Sequence, residues 1–280
     1  MLIAHLSDLH IRPHGKTANR VVETNAMAER AVATLAAMEP APDAVIVTGD
    51  IAEAGRADEY AVFREIIDGR LPCPLHVGIG NHDRRATFRS ALGDLPGVTD
   101  DAEFVHYTAD IGDIRLIMLD SVVPGAGHGE LCARRIDFLA AALDDAANHP
   151  VLIGLHHPPV ETGIASMDAI KLHAPARMLD RVRRHGRVLG ILCGHHHRAI
   201  ISQRGGTTLL AAPALGGHQS EVRFDADAPS RFHLEPGGWF LLRIDEEPAL
   251  NAHLMQIGDF PGPYPFVAEP DYPGRNLTAG

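Results

Sequence analysis

Short apolar runs recur along the first two thirds of the chain and alternate with amphipathic segments. Six of these runs are bounded by turn residues or carboxylates, a pattern typical of buried strands. They are Leu2–Leu6, Ala44–Val47, Leu75–Ile79, Arg115–Leu119, Val151–Leu155 and Val188–Cys193. We predict a strand at each.

Helical spacing separates several of these strands. Apolar residues follow the i, i+3, i+4, i+7 pattern of an amphipathic helix in two segments. They are Ala28, Ala31, Val32 and Leu35 in the first segment, and Ile136, Leu139, Ala140 and Leu143 in the second. Two further helices are predicted over Asp58–Ile67 and Ile170–Arg184. Alternating strands and helices indicate a layered α/β domain.

The chain changes character after residue 193. Four more strands are predicted there, joined by turns, and consecutive strands joined by turns pair antiparallel. They are Ala199–Gln203, Thr207–Ala211, Trp239–Ile244 and Ala249–Gln256. We therefore expect an α/β (α+β layered) fold in which two packed sheets are flanked by helices.

Segments without periodicity suggest how the chain is organised. Loop-like residues near 158–170 and polar, proline-broken residues near 218–236 predict small cap elements. The prolines after residue 260 exclude a regular helix or a central strand. We expect one catalytic domain over residues 1–257 and a proline-rich arm over residues 258–280.

Histidines cluster with carboxylates and an amide directly after five of the predicted strands. The clusters are D-x-H at 8–10, G-D at 49–50, G-N-H-D at 80–83, H-H-P-P at 156–159 and G-H-H-H at 194–197. Each motif alone is common in turns, caps and loops. Open α/β sheets, however, place their ligands at the carboxyl ends of strands. Five clusters at such ends therefore indicate one metal site.

The types of donor atom narrow the choice of metal. Imidazole, carboxylate and amide oxygen without thiolate favour Zn, Mn, Fe, Co or Ni. The candidate ligands are Asp8, His10, Asp50, Asn81, His156, His195 and His197. Seven ligands are too many for one four-coordinate ion and suit two ions that share a carboxylate. Such paired ions catalyse phosphoryl displacement.

Composition limits the partners and the compartment. The chain has 25 basic and 36 acidic residues, a net charge of −11, which disfavours long nucleic acid as a partner. Three cysteines without a C-x-x-C pair support neither a disulfide framework nor a thiolate zinc site. An apolar run of about 18 residues, the length of a membrane span, is absent. The first residues resemble a strand rather than a leader, so we expect a cytoplasmic protein.

In this order the motifs resemble the calcineurin-like metallophosphoesterase superfamily. Within it, the chain is similar to the bacterial class III phosphodiesterases, which act on glycerophosphodiesters or 3′,5′-cyclic nucleotides. This second resemblance rests on L-D-S-V-V-P-G at 119–125, H-G-E at 128–130, the H-H-P-P motif and G-G-H-Q at 216–219. The superfamily fold is a β-sandwich flanked by helices, in agreement with the predicted strands.

The resemblance also implies roles for individual residues. One ion would be held by Asp8, His10 and His197, the other by Asn81, His156 and His195, with Asp50 as the bridge. His82 would lie beside the ions without binding them and would serve the leaving group. His218 and His128 are candidate substrate-binding residues. The expected cofactors are two divalent ions, with Mn, Fe, Zn and Co all open.

The resulting hypothesis is a binuclear, metal-dependent phosphoric diester hydrolase for small phosphodiesters. A metal-bridging hydroxide would attack phosphorus in line. Two divalent ions, two carboxylates and one hydroxide leave a net charge of about +1, which favours a diester mildly. Two alternatives stay open: a phosphomonoesterase or nucleotide pyrophosphatase on the same fold, and a non-catalytic metal-binding interaction module.

The aromatic residues of the arm bear on assembly. Phe260, Tyr264, Phe266 and Tyr272 would form an apolar surface facing water unless it were covered. We therefore expect a homo-oligomer, a dimer or larger. Packing of the arm on its own domain is the alternative.

Overall fold

The computed structural model describes residues 1–247, 249–267 and 273. Its helices are α1 Thr24–Ala36, α2 Ala57–Ile67, α3 Arg85–Leu92, α4 Ala133–Ala146, α5 Ala165–Asp168 and α6 Ala176–His185. Its strands are β1 Leu2–Leu6, β2 Ala44–Val47, β3 Leu75–Val77, β4 Tyr107–Ile111, β5 Ile114–Leu119, β6 Val151–Leu155, β7 Val188–Cys193, β8 Ile200–Arg204, β9 Thr207–Ala211, β10 His218–Ser220, β11 Phe232–Leu234, β12 Gly238–Ile244 and β13 Leu250–Gln256.

Two large mixed sheets form the centre of the molecule. The five-stranded sheet has the order β13-β12-β1-β2-β3, with β1, β2 and β3 parallel. The six-stranded sheet has the order β4-β5-β6-β7-β9-β8, with β5, β6, β7 and β9 parallel. Strands β10 and β11 form a separate antiparallel ribbon. The parallel strands of each sheet carry the predicted motifs at their carboxyl ends.

The sheets pack face to face and are covered by helices on their outer faces. One buried cluster joins the sheets, with Ile46 and Phe240 from the first and Leu116 and Leu152 from the second. A second cluster lies between the first sheet and helices α1, α2 and α3, and a third between the second sheet and helices α4 and α6. Both faces of the central strands are therefore buried, which explains their continuous apolar sequences. The predicted layered fold is confirmed.

The strands after residue 193 do not form one antiparallel series, and that part of the prediction is wrong. Strands β8 and β9 are a hairpin in the six-stranded sheet, where β9 also runs parallel to β7. Strands β12 and β13 are a hairpin in the other sheet, beside β1. Local alternation predicts each hairpin, but the sheet it joins depends on contacts distant in sequence.

Other boundaries differ for local reasons. Helix α6 begins at Ala176 rather than at Ile170, and Pro175 lies at its N-cap. Strand β4 was not predicted. Strand β4 lies at a sheet edge, and only its two end residues are buried, so it lacks a clear apolar pattern.

The arm predicted for residues 258–280 lies partly outside the described residues, and so does Tyr272. Within the described part, Phe260, Tyr264 and Phe266 are exposed. Exposure of these side chains does not test assembly, so the expected homo-oligomer stays a prediction. The domain boundary at residue 257 and the cap elements also stay predictions. Among the described residues, helices with the length and apolar character of a membrane span are absent.

Candidate metal centre

The carboxyl ends of five parallel strands meet at one edge of the two sheets. The loops after β1, β2 and β3 in one sheet and after β6 and β7 in the other bring the seven predicted donors together. They are Asp8, His10, Asp50, Asn81, His156, His195 and His197, and all except Asn81 and His197 are buried. The predicted convergence follows from the shared direction of these strands.

Four of the donors form one compact group. Ligand atoms of Asp8, His10, Asp50 and His197 all lie within 4.8 Å of one another. The Nε2 atoms of His10 and His197 are 3.1 Å apart, and Nε2 of His197 is 3.3 Å from Oδ1 of Asp8. Two imidazoles and two carboxylates around one point are a suitable donor set for a divalent ion.

Asp50 connects this group to a second one. Its Oδ2 lies 3.7 Å from Nε2 of His10 and 3.2 Å from Nε2 of His156. Nε2 of His156 is also 3.0 Å from Oδ1 of Asn81. The ring of His195 lies 5.0 Å from that of His156, centroid to centroid. Asp50 therefore stands between the two halves of the centre.

The backbone at these positions adopts conformations that are uncommon for residues other than glycine. The angle φ is positive at five of the seven donors. The values are 54° for Asp8, 48° for His10, 49° for Asp50, 68° for His195 and 47° for His197. Left-handed conformations cost about 1–3 kcal/mol each and concentrate at functional sites. They turn the chain sharply after each strand and direct the side chains into the centre.

Glycines in the motifs permit the loops to approach closely. At Gly49, where φ is +109°, a Cβ atom would lie 2.7 Å from the amide nitrogen of Gly80. A Cβ atom on Gly80 would overlap the carboxylate of Asp50. The glycines of the G-D and G-N-H-D motifs are thus required by the distance between neighbouring loops.

Hydrogen bonds on the outer side of the rings fix which nitrogen faces the centre. Nδ1 of His156 donates to the Thr48 carbonyl at 2.9 Å, and Nε2 of His195 donates to the Ile170 carbonyl at 3.0 Å. A carbonyl can only accept, so the opposite nitrogen of each neutral ring carries a lone pair. This arrangement is the one metal-binding histidines adopt. The residues present therefore fit a divalent metal.

Glu53 orients the ring of His10 in the same way. Its Oε2 accepts a hydrogen bond from Nδ1 of His10 at 2.8 Å, which leaves Nε2 facing Asp8 and Asp50. Glu53 was not among the predicted site residues. Its place three residues after Asp50, in the same loop, is the signal that would have found it.

The electrostatics of the centre favour positive charge. Burial raises the pKa of Asp50, but His156 and His82 outweigh it and hold the pKa well below its ordinary value. Burial also raises the pKa of Asp8, but the neighbouring histidines, His197 above all, outweigh it and hold that pKa below its ordinary value. For His156, burial lowers the pKa but Asp50 raises it to about 9. Both carboxylates are ionised at neutral pH and attract cations.

Asp83, the last residue of the G-N-H-D motif, holds two loops together. Its carboxylate accepts hydrogen bonds from the backbone N–H groups of Ala52 and Gly80 and from the hydroxyl of Tyr60. Burial and the nearby Asp50 raise its pKa to about 6. Asp83 therefore supports the centre from outside.

His82 lies next to the donors but is oriented differently. Its backbone N–H donates to Oδ1 of Asp50 at 2.8 Å, and its Nδ1 donates to the Glu53 carbonyl at 2.7 Å. Burial lowers the pKa of His82, but Asp50 and the Glu53 carbonyl raise it by more, so its net pKa is above the ordinary value. The ring is therefore held in place, with Nε2 uncommitted to these partners.

The two predicted substrate-binding histidines have different surroundings. His218 is buried beside the centre, with ring centroids 5.0 Å from His10 and 4.5 Å from His197. Neither of its ring nitrogens has a hydrogen-bond partner among the described residues. Burial, with His197 and His10, lowers its pKa to about 2. His128 instead groups with Glu130 and His173.

Two cavities adjoin the centre and share Asn81 and His82 in their walls. A cavity of about 350 Å³ contains His10, Asp50, His195, His197 and His218 in its lining. A cavity of about 620 Å³ extends to Arg84 and the 124–127 loop. The other lining residues of the smaller cavity, such as Phe232 and Arg231 of the polar segment, were not predicted, because no motif marks them.

Comparison with known proteins identifies the family. A model of the calcineurin-like phosphoesterase family matches residues 1–199. The chain belongs to this family. Similar curated proteins include a probable glycerophosphodiester phosphodiesterase from Arcobacter nitrofigilis, which is 33% identical over 96% of this chain and 98% of its own. A 3′,5′-cyclic adenosine monophosphate phosphodiesterase from Pseudomonas aeruginosa is 29% identical over 92% of this chain and 91% of its own.

Solved structures share the calcineurin-like phosphoesterase fold with this chain. A dimetal phosphatase from Danio rerio aligns with a TM-score of 0.62 at 14% identity, covering 92% of this chain and 98% of its own. A purple acid phosphatase from yellow lupin aligns with a TM-score of 0.63 at 13% identity, covering 86% and 49% of the two chains. The predicted family and fold are confirmed, and relatives named as phosphodiesterases support the predicted enzyme class.

Glu53→Ala should weaken metal binding by about 10- to 100-fold, because outer partners orient metal-binding imidazoles. Glu53→Gln, which keeps an acceptor for Nδ1–H of His10, should lose less. Glu65→Ala is the matched control, since Glu65 makes a similar contact of 2.7 Å with the exposed His14. Competition with a chelator measures the affinities. Equal affinities for Glu53→Ala and Glu65→Ala would mean that the contact does not orient His10.

Proposed function

We propose that the protein is a phosphodiesterase that holds two divalent ions and hydrolyses small phosphodiesters. Asp8, His10 and His197 bind one ion, Asn81, His156 and His195 bind the other, and Asp50 bridges them. The observation that carries the proposal is the position of Asp50, whose Oδ2 lies within 3.7 Å of His10 Nε2 and 3.2 Å of His156 Nε2. One carboxylate can therefore serve donors on both sides.

The ions and the protein contribute different chemistry. When bound, two divalent ions lower the pKa of a water molecule and stabilise negative charge on the phosphoryl oxygens. The chain orients the imidazole donors, through Glu53 on His10 and the Thr48 carbonyl on His156. Mn, Fe, Zn and Co all suit this donor set.

His82 acts on the leaving group. Its Nδ1 is committed to the Glu53 carbonyl, so Nε2 is the atom that can donate a proton to a leaving oxygen. Its backbone N–H on Asp50 fixes the residue relative to the ions. The ring also borders both cavities, where a substituent of the phosphoryl group would lie.

The cavities favour a diester over a monoester. They meet at Asn81 and His82, so a phosphoryl group bound there has space on two sides. A phosphodiester carries two substituents and uses both spaces, whereas a monoester uses one. Relatives named as glycerophosphodiester and cyclic adenosine monophosphate phosphodiesterases make these two substrate classes the first to test.

A substrate panel tests the proposed activity. Metal-loaded protein should hydrolyse bis(4-nitrophenyl) phosphate with a higher kcat/KM than 4-nitrophenyl phosphate, because only the diester fills both cavities. Cyclic adenosine monophosphate and glycerophosphoethanolamine in the same panel identify the natural class. A preference for the monoester would favour a phosphomonoesterase. Bound metal without hydrolysis of any substrate would favour a metal-binding interaction module.

Asp50→Ala should remove both ions, because Asp50 serves both halves of the centre. Asn81→Ala should weaken only the ion next to His156. Elemental analysis after dialysis measures the number of ions retained by each variant. Full metal content in Asp50→Ala would contradict the bridge, and loss of both ions in Asn81→Ala would contradict the assignment of Asn81 to one ion.

His82→Ala should retain both ions and lose about 10²–10⁴ in kcat, the usual contribution of general acid–base catalysis. The loss should be largest for poor leaving groups such as the glycerol or ribose alkoxide. It should be small for 4-nitrophenolate, which leaves without protonation.

Two outcomes would reject this role. An equal loss for all leaving groups would assign His82 to phosphate binding or charge stabilisation. Loss of metal in the same variant would make His82 a ligand or the support of one.

A further inference from the structure

A second cluster of metal-binding side chains lies outside the centre. His128 and Glu130 come from the loop that follows β5, and His173 from the segment before α6. The backbones of these segments are joined at Gly129, whose N–H donates to the Lys171 carbonyl and whose carbonyl accepts from the His173 N–H at 2.8 Å. The backbone therefore fixes the three side chains next to one another.

The donor atoms of the cluster converge. One ligand atom from each of His128, Glu130 and His173 lies within 4.8 Å of the other two. Nε2 of His128 is 3.4 Å from Oε1 of Glu130. The rings of His128 and His173 stack nearly parallel, with centroids 4.0 Å apart and planes 10° apart, so one ring must rotate before both can bind the same ion. Tetrahedral Zn²⁺ with bonds of about 2.0–2.1 Å separates its ligand atoms by about 3.3 Å. Rotation of one imidazole about its side-chain torsions would point all three donors at one ion.

We propose that His128, Glu130 and His173 form a further divalent-metal site, which binds Zn²⁺. Two imidazoles and one carboxylate are a known zinc donor set, with the fourth position open to water. The site is accessible, since the side chain of His128 is 29% exposed and that of Glu130 is 54% exposed. It is independent of the catalytic proposal, because none of its three residues is among the seven donors of the centre.

Occupation of the site would stiffen one wall of the larger cavity. Residues 125–127 of the same loop line that cavity. The Gly127 carbonyl also accepts a hydrogen bond from Nε2 of His157 at 3.2 Å. A Cβ atom on Gly129 would lie 2.5 Å from the His157 ring. An ion that joins the loop to His173 therefore stabilises the folded position of this wall.

Zn²⁺ binding by full-length protein tests the proposal. His128→Ala and His173→Ala should each retain one equivalent of Zn²⁺ fewer than their parent at equilibrium dialysis. The same difference should appear when the parent carries Asp50→Ala and His197→Ala. This background removes two donors of the catalytic centre, so metal bound there does not obscure the Zn²⁺ bound at the second cluster. His14→Ala is the matched control, because His14 contacts one carboxylate, Glu65, and belongs to none of the candidate metal-binding groups found among the described residues.

Thermal unfolding provides a second readout. Zn²⁺ binding to the folded chain raises its Tm by mass action. In the background that carries Asp50→Ala and His197→Ala, this rise should be smaller after His128→Ala and unchanged after His14→Ala. Equal Zn²⁺ content and equal Tm shifts with and without His128→Ala would overturn the site. An equal loss in His14→Ala would overturn it as well, because the loss would then be non-specific.

Discussion

Two carboxylates buried side by side determine what the rest of the structure must supply. Asp8 and Asp50 follow neighbouring parallel strands and are both buried. Carboxylates in such a place lose hydration and repel each other, so they require donors or cations around them. The backbone N–H groups of His82 and His195 and the ring of His156 meet part of this requirement. Two divalent ions would meet the remainder, which is why the proposed function follows from charge as much as from resemblance.

The loops that hold these carboxylates are unfavourable by themselves. Left-handed backbone at Asp8, His10 and Asp50 costs free energy that a surface turn would avoid. The sheets offset this cost because they fix where each loop begins and ends. Asp83 adds hydrogen bonds between two of the loops. The sheets beneath the centre therefore determine where its donors lie.

The sequence was informative where local pattern and function coincide. The positions of β1, β2, β6 and β7 follow from short apolar runs, and the motifs follow directly after them. Glu53 and the β10–β11 ribbon escaped prediction because their roles depend on contacts across the fold. His10 and Glu53 are 43 residues apart, and His218 reaches His10 from a ribbon that has no strong alternation. The placement of the two C-terminal hairpins in different sheets was not predicted for the same reason.

Catalysis and substrate choice have different structural sources in this fold. The seven donors lie at the ends of parallel strands, where the sheet register holds them. The other lining residues of the cavities come from loops and from the ribbon, where Phe232 is 37% exposed. The ribbon meets the centre at His218, whose ring lies beside His10, and at Ser220, whose N–H donates to the His197 carbonyl at 2.9 Å. Relatives named for glycerophosphodiesters and for cyclic adenosine monophosphate can thus share one fold. We therefore expect the substrate of this protein to be determined by the walls of the two cavities more than by the motifs that identify its family.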